Sequence, residues 1–204
     1  QLAKEGYDVL RFDYSGTGDS GGNVEDMLPS YWIDDVKTAL SEISDMTGAR
    51  KLNIVGLRLG AMKGLQACLT SKNVNRLVMW DPVISGSVYI QELKDIIENL
   101  NEPLSAYVDS KDNITYQGFT LSRPFVTELE SIEVVAEYPG NVNKVLQVVS
   151  EENENFAVLH QRWIDRPGFE YQHIPAPGNW NYVDSIGGML LPQAIIQGIV
   201  NYFC

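Results

Sequence analysis

The residues that bear most directly on chemistry are Val55-Gly56-Leu57-Arg58-Leu59-Gly60. They join a short apolar strand pattern, Lys51 to Val55, to a helical pattern running from about Leu59 to Leu69. Glycines on either side of a central residue let the chain turn sharply, lifting that residue's side chain above a sheet at the N-terminus of the next helix. Gly56 and Gly60 keep this spacing, while Ala61 and Gly64 keep the helix face slim. The residue so displayed is Arg58. Its guanidinium is protonated at any ordinary pH and offers no lone pair, so it cannot attack a carbonyl. It can hold a carboxylate, phosphate or sulfate, helped by the unpaired amides and roughly half a positive charge of the helix N-terminus. An anion is therefore expected beside Arg58, either from the protein itself or from a ligand.

Other candidates are fewer. The chain has two histidines. His160 lies in a helical pattern with Trp163, and His173 lies on a strand pattern near the C-terminus; both read as packed or surface histidines. Asp13 and Asp81 each close a strand pattern and read as local turn acceptors. Trp80, Trp180 and Tyr182 read as pocket-lining or core aromatics. Gly16-Thr17-Gly18-Asp19-Ser20-Gly21 matches G-x-G-x-x-G, but Gly22, Asn23 and Pro29 intervene before any helix, so a nucleotide fingerprint is not supported. No His/Cys/carboxylate group has metal-ligand spacing, and no cofactor is expected.

These residues need a scaffold, and the pattern supplies one. Tyr7 to Asp13, Lys51 to Val55, Arg76 to Trp80, Lys144 to Val149 and about Phe169 to Ile174 read as buried strands. Helices are predicted between them, one capped by Ser30 with the stripe Trp32, Val36, Ala39, Leu40 and Ile43, and a last one over Leu191 to Phe203. Such alternation predicts an α/β domain, a mostly parallel sheet flanked by helices on both faces. The whole chain, 1–204, reads as a single domain. The interval of about 83–143 reads either as ordinary crossover helices or as a small helical lid insertion over the strand ends.

Composition narrows the partners. With 15 Lys+Arg against 27 Asp+Glu, the 204-residue chain carries a net charge of −12. That repels phosphate backbones and anionic lipid, so neither nucleic acid nor membrane is expected as a partner. No apolar run reaches the roughly 18 to 20 residues of a membrane span. Cys68 and Cys204 cannot build a disulfide framework, which points to a reducing, cytoplasmic setting. The sequence opens at Gln1 and reads as starting partway into a longer unit.

Beyond these physical readings there is a family likeness. GYDVLRFDYSGTGDSGG (6–22) resembles the strand and turn preceding the nucleophile elbow of serine-aminopeptidase-like α/β-hydrolases, where the strand-to-helix junction is G-x-S-x-G. GLRLGA (56–61), LVMWDPVISG (77–86) and YQGFTLS (116–122) resemble one branch of that superfamily, the hydrolase-like proteins associated with exosortase and exopolysaccharide gene clusters. The resemblance implies an α/β-hydrolase fold with its N-terminal strands missing. It also implies an open sheet edge, at which pairing with a second copy of the chain is expected. Carried over residue by residue, it sets the nucleophile on Arg58, the acid on Glu151 or Glu152, and the histidine in the Pro177–Asn181 loop, most simply on Asn179. A neutral amide cannot take a proton from a nucleophile at useful rates. Two classes of function follow. One is a silent hydrolase fold that binds a small acidic ligand or a protein partner through Arg58, Leu57, Leu59, Asp81 and Trp180. The other is a hydrolase or acyl-transfer enzyme using non-standard groups such as Glu151, Glu152, Asp81 and His173.

Overall fold

In the computed structural model, four apolar segments pair as parallel strands: β1 (Leu52–Leu57), β2 (Val74–Trp80), β6 (Lys144–Val149) and β7 (Phe169–His173), in the order β1-β2-β6-β7. The structure describes residues 1–99, 106–116, 119–133, 137–176 and 192–203. By chain contacts it divides into two units, one formed by 1–10, 37–84 and 134–204, the other by 11–36 and 85–133. Helix α1 (Pro29–Thr47) contributes to both.

The first unit holds the parallel sheet. Helices α2 (Leu59–Thr70), α5 (Glu154–Trp163) and α6 (Gln193–Phe203) cover it on both faces. Side chains alternate along β2, and the two faces meet different helices. On one face Val78, Trp80, Leu146 and Val148 pack with Ile195, Ile199 and Phe203 of α6. On the other, α2 lies so close that a methyl group on Gly64 would reach within 2.9 Å of Ile54 Cγ2 and 3.5 Å of Leu77 Cδ1. Gln147, in register with Met79 and so on that same face, donates from Nε2 to the carbonyl of Phe156 in α5. Coverage of both faces explains why β2 and β6 read as near-continuous apolar runs. The end of α6 is tied down by Arg76, whose Nη1 donates to the carbonyls of Tyr202 and Phe203 at 2.6 and 3.1 Å, and by the Tyr7 hydroxyl, which donates to Phe203 O. Asn141 performs the same task for α2, its Nδ2 donating to Cys68 O and Ser71 O.

The second unit holds α3 (Gly86–Asn99), an antiparallel meander β3-β4-β5 (Ala106–Val108, Ile114–Tyr116, Phe119–Leu121) and α4 (Arg123–Glu130). Its core joins the aliphatic side chains of Ile90, Ile114 and Leu129 to an aromatic group: Tyr14 stacks on Trp32 at 4.9 Å, and Phe125 meets Trp32 edge-on at 4.9 Å. This unit gathers most of the 83–143 interval together with the glycine turn near the N-terminus.

Two expectations are corrected. Tyr7 to Asp13 is not a buried strand: no described residue pairs with it, and Val9, Leu10 and Phe12 are exposed. A strand needs a neighbour for its amides and carbonyls, and apolar composition alone cannot supply one. Ser30 does not cap α1. Pro29 takes the first helical position, where a missing N–H costs nothing, and Ser30 donates from both its amide and hydroxyl to the Glu128 carboxylate. The three-residue strands β3 to β5 went unread because three residues are too few to show a period of two.

Candidate functional site

Residue 58 stands at the strand-to-helix corner, between the last residue of β1 and the first of α2. Its backbone is at φ 52° and ψ −120°, a region that L-residues rarely occupy. Held there by four backbone hydrogen bonds, the weakest from Met62 N at 3.4 Å, the conformation stores about 1 to 3 kcal/mol of strain, of the kind that clusters at functional sites. The Arg58 amide donates to Trp80 O at 2.9 Å, and its carbonyl accepts from Ala61 N at 3.0 Å and Val83 N at 3.2 Å. Gly56 is needed for this corner: a Cβ there would lie 2.5 Å from both Ala61 Cα and Gly60 O. Arg58 is partly buried, Leu57 is partly exposed at the strand end, and Leu59 opens the helix.

The sheet register lines up what stands beside that corner. Leu57 pairs with Trp80, Trp80 with Val148, and Val149 with His173. One residue further along, Arg58, Asp81, Val149 and His173 form a single row at the carboxyl ends of the four strands. Open α/β sheets bind their ligands at this edge. Asp81 is 1% exposed and also left-handed, at φ 40°. Its carboxylate accepts from the Ser150 amide at 2.7 Å and the Ser150 hydroxyl at 2.6 Å. The chain then turns outward through Glu151 and Glu152, both exposed. Glu152 meets His173 Nδ1 at 3.6 Å. Beneath His173 on β7, Tyr171 stacks on His160 at 4.1 Å with an interplanar angle of 6°. Burial raises the Tyr171 phenol above its ordinary range, and the Glu152 charge adds to this.

The structure thus brings Arg58, Leu57, Leu59, Asp81, Glu151, Glu152 and His173 to one edge of one sheet. Asn179, Trp180 and Tyr182 fall outside the described residues. His160 is not at that edge but is packed on Tyr171. Asp81 accepts from Ser150, 69 residues away in sequence. Asp13 does act locally, accepting from the Asp19 amide, and its carboxylate fills the glycine turn so closely that a Cβ on Gly18 would come within 2.3 Å of it. Ser150 was missed because nothing in its own neighbourhood marks it: only the adjacency of β2 and β6 gives it a role.

Among the described residues no group of three or more His, Cys, Asp or Glu could hold a metal ion, and no helix is long and apolar enough to cross a membrane.

Solved structures with the same fold include an esterase of Pyrococcus furiosus, at 20% identity over 99% of this chain and 71% of that one, with a TM-score of 0.70. A tomato methylketone synthase I variant complexed with β-ketoheptanoate is 14% identical over 99% and 89% of the two chains, with a TM-score of 0.63. Est1E from Butyrivibrio proteoclasticus, with ferulic acid bound, is 16% identical over 94% and 74%, with a TM-score of 0.61. Among curated proteins, none matches the sequence. The model of the hydrolase family described as serine aminopeptidase, S33, matches residues 1–147. The chain, with a cation mounted at the corner between β1 and α2, belongs to that family.

Proposed function

We propose that this member of the family is a receptor for a small acidic ligand rather than a serine hydrolase, with Arg58 as the group that grips the anion. The observation that carries the reading is the conformation of Arg58, whose left-handed corner projects a permanent cation where the family's motif carries serine. The first turn of α2 carries no acidic residue. A carboxylate or phosphate oxygen can accept from a guanidinium and from helix amides together. Leu57 and Leu59, on either side, would take the apolar part of the ligand. In this reading Asn179, in the histidine position, leaves no base to serve a nucleophile. The likeness of GLRLGA and LVMWDPVISG to the exosortase- and exopolysaccharide-associated branch supports a cytoplasmic role beside exopolysaccharide assembly.

A second reading has one observation in its favour. Glu152 and His173 are in contact on neighbouring strand ends, an acid and a base of the kind a hydrolase or acyl-transfer enzyme uses. His173 stands three strands from β1, roughly 14 Å at about 4.8 Å per strand, too far for it to act on a group held at residue 58.

Turnover of a panel of p-nitrophenyl esters and labelling by a fluorophosphonate separate the two. The receptor reading expects neither, and it expects NMR-detected binding of acetate or sulfate that Arg58→Gln abolishes. Ester turnover lost on changing Glu152 or His173 would give the site to the enzyme reading.

A further inference from the structure

Two parts of the first unit present backbone that no described strand pairs with. One is the outer side of β1, which ends the parallel sheet and pairs only with β2 among the described strands. An edge strand is a template for another chain unless charge, proline or a bulge guards it. The register of β1 is irregular at Leu52/Asn53, but residues 53–57 beyond it carry no charge and no proline. Val55 and Leu57 are 43% and 38% exposed. The other part is residues 8–10. They pair with no described residue, and Val9 and Leu10 are 54% and 39% exposed. Tyr7 anchors their start: its ring meets Phe203 edge-on at 6.0 Å, and its hydroxyl donates to Phe203 O.

Charge decides what fits against β1. Residues 46–80, which contain it, carry six basic side chains and no acidic one, in a chain of net charge −12. Residues 1–45 carry ten acidic side chains and three basic. Two copies of β1 laid antiparallel along their full length would set Lys51 of one against Arg58 of the other, and like charges opposed across a ladder are destabilising. Residues 8–10 begin with Asp8 and bring no cation. We propose that two copies of the chain associate by exchanging edges, residues 8–10 of each adding as a strand to the outer side of β1 of the other. Val9 and Leu10 then lie against the exposed apolar side chains of β1. The two-fold uses both open parts of both copies, so the assembly closes at the dimer. This is independent of the receptor reading.

Sedimentation of the intact chain from micromolar to millimolar concentration is the test, and a monomer–dimer equilibrium is expected. Asp8→Lys and Val55→Lys each add a cation at the joint, counted twice by the two-fold, and each is expected to weaken the dimer about tenfold. Val158→Lys, at an exposed position of α5, is expected to leave it unchanged. Amide exchange at Val9 and Leu10 should slow as the dimer forms. A monomer at every concentration overturns the proposal, and needs no variant to fold. A dimer that Val55→Lys leaves intact overturns it, since another surface would then pair. A dimer broken by Val55→Lys but indifferent to Asp8→Lys overturns it as well, giving the edge to a second β1. Unchanged amide exchange, or growth past the dimer, equally rules out the exchange.

Discussion

The carboxylate of Asp81 at the end of β2 receives both the amide and the hydroxyl of Ser150 at the end of β6, at 2.7 and 2.6 Å, across 69 residues of sequence. Both residues are buried, so neither donor can turn to water if the acceptor is lost. This contact fixes where the chain leaves the sheet before Glu151 and Glu152.

Asp81→Ala is expected to destabilise the fold by about 3 kcal/mol, since it strands two buried donors that had a charged partner. Ser150→Ala removes the hydroxyl contact alone and leaves one lone pair unused, with an expected loss of about 1 to 2 kcal/mol. Urea unfolding monitored by circular dichroism measures both. Equal losses in the two variants would show that the charge does not matter.

Arg58→Gly is expected to raise stability by about 1 kcal/mol, because glycine adopts φ 52° without a Cβ penalty. The same change removes the cation, so anion binding should vanish as the melting temperature rises. A stability loss instead would mean that the contacts of the Arg58 side chain outweigh the strain of its backbone.

Gly56→Ala is expected to cost more than about 3 kcal/mol, because the new methyl would lie 2.5 Å from the Ala61 backbone and the Gly60 carbonyl, neither of which can give way. Gly64→Ala meets side chains rather than backbone, the Ile54 Cγ2 methyl at 2.9 Å and Leu77 Cδ1 at 3.5 Å, and should cost about 1 kcal/mol. Thermal melts of the two variants rank them; the reverse order would contradict the corner described here.

Burial pushes the Cys68 thiol up to about 12 from an ordinary 9.0. In the unfolded chain the thiol ionises near its ordinary value, and in the folded chain only near the raised one. Its contribution to stability is therefore complete below about pH 9 and is lost as the pH climbs toward 12. Below that window, iodoacetamide is expected to modify Cys68 only as fast as the fold opens. Peptide mapping after labelling at pH 8, with and without urea, reads this directly.

Charge and residue type settled much about this protein without coordinates. The glycines at 56 and 60, the apolar runs at 51–55, 76–80 and 144–149, and the helical patterns between them are local signals, since strand periodicity and sharp turns depend on neighbours within a few residues. That Arg58 cannot be a nucleophile follows from its guanidinium alone. Only the tertiary structure decided that residues 8 to 13 lie exposed with no ladder to any described residue, because pairing requires a second segment that composition does not name. It decided also that Asp81 reaches Ser150 and that Glu152 meets His173. Those contacts exist because the sheet sets β2 beside β6 and β6 beside β7, and in parallel sheets the order of strands in space is not their order along the chain.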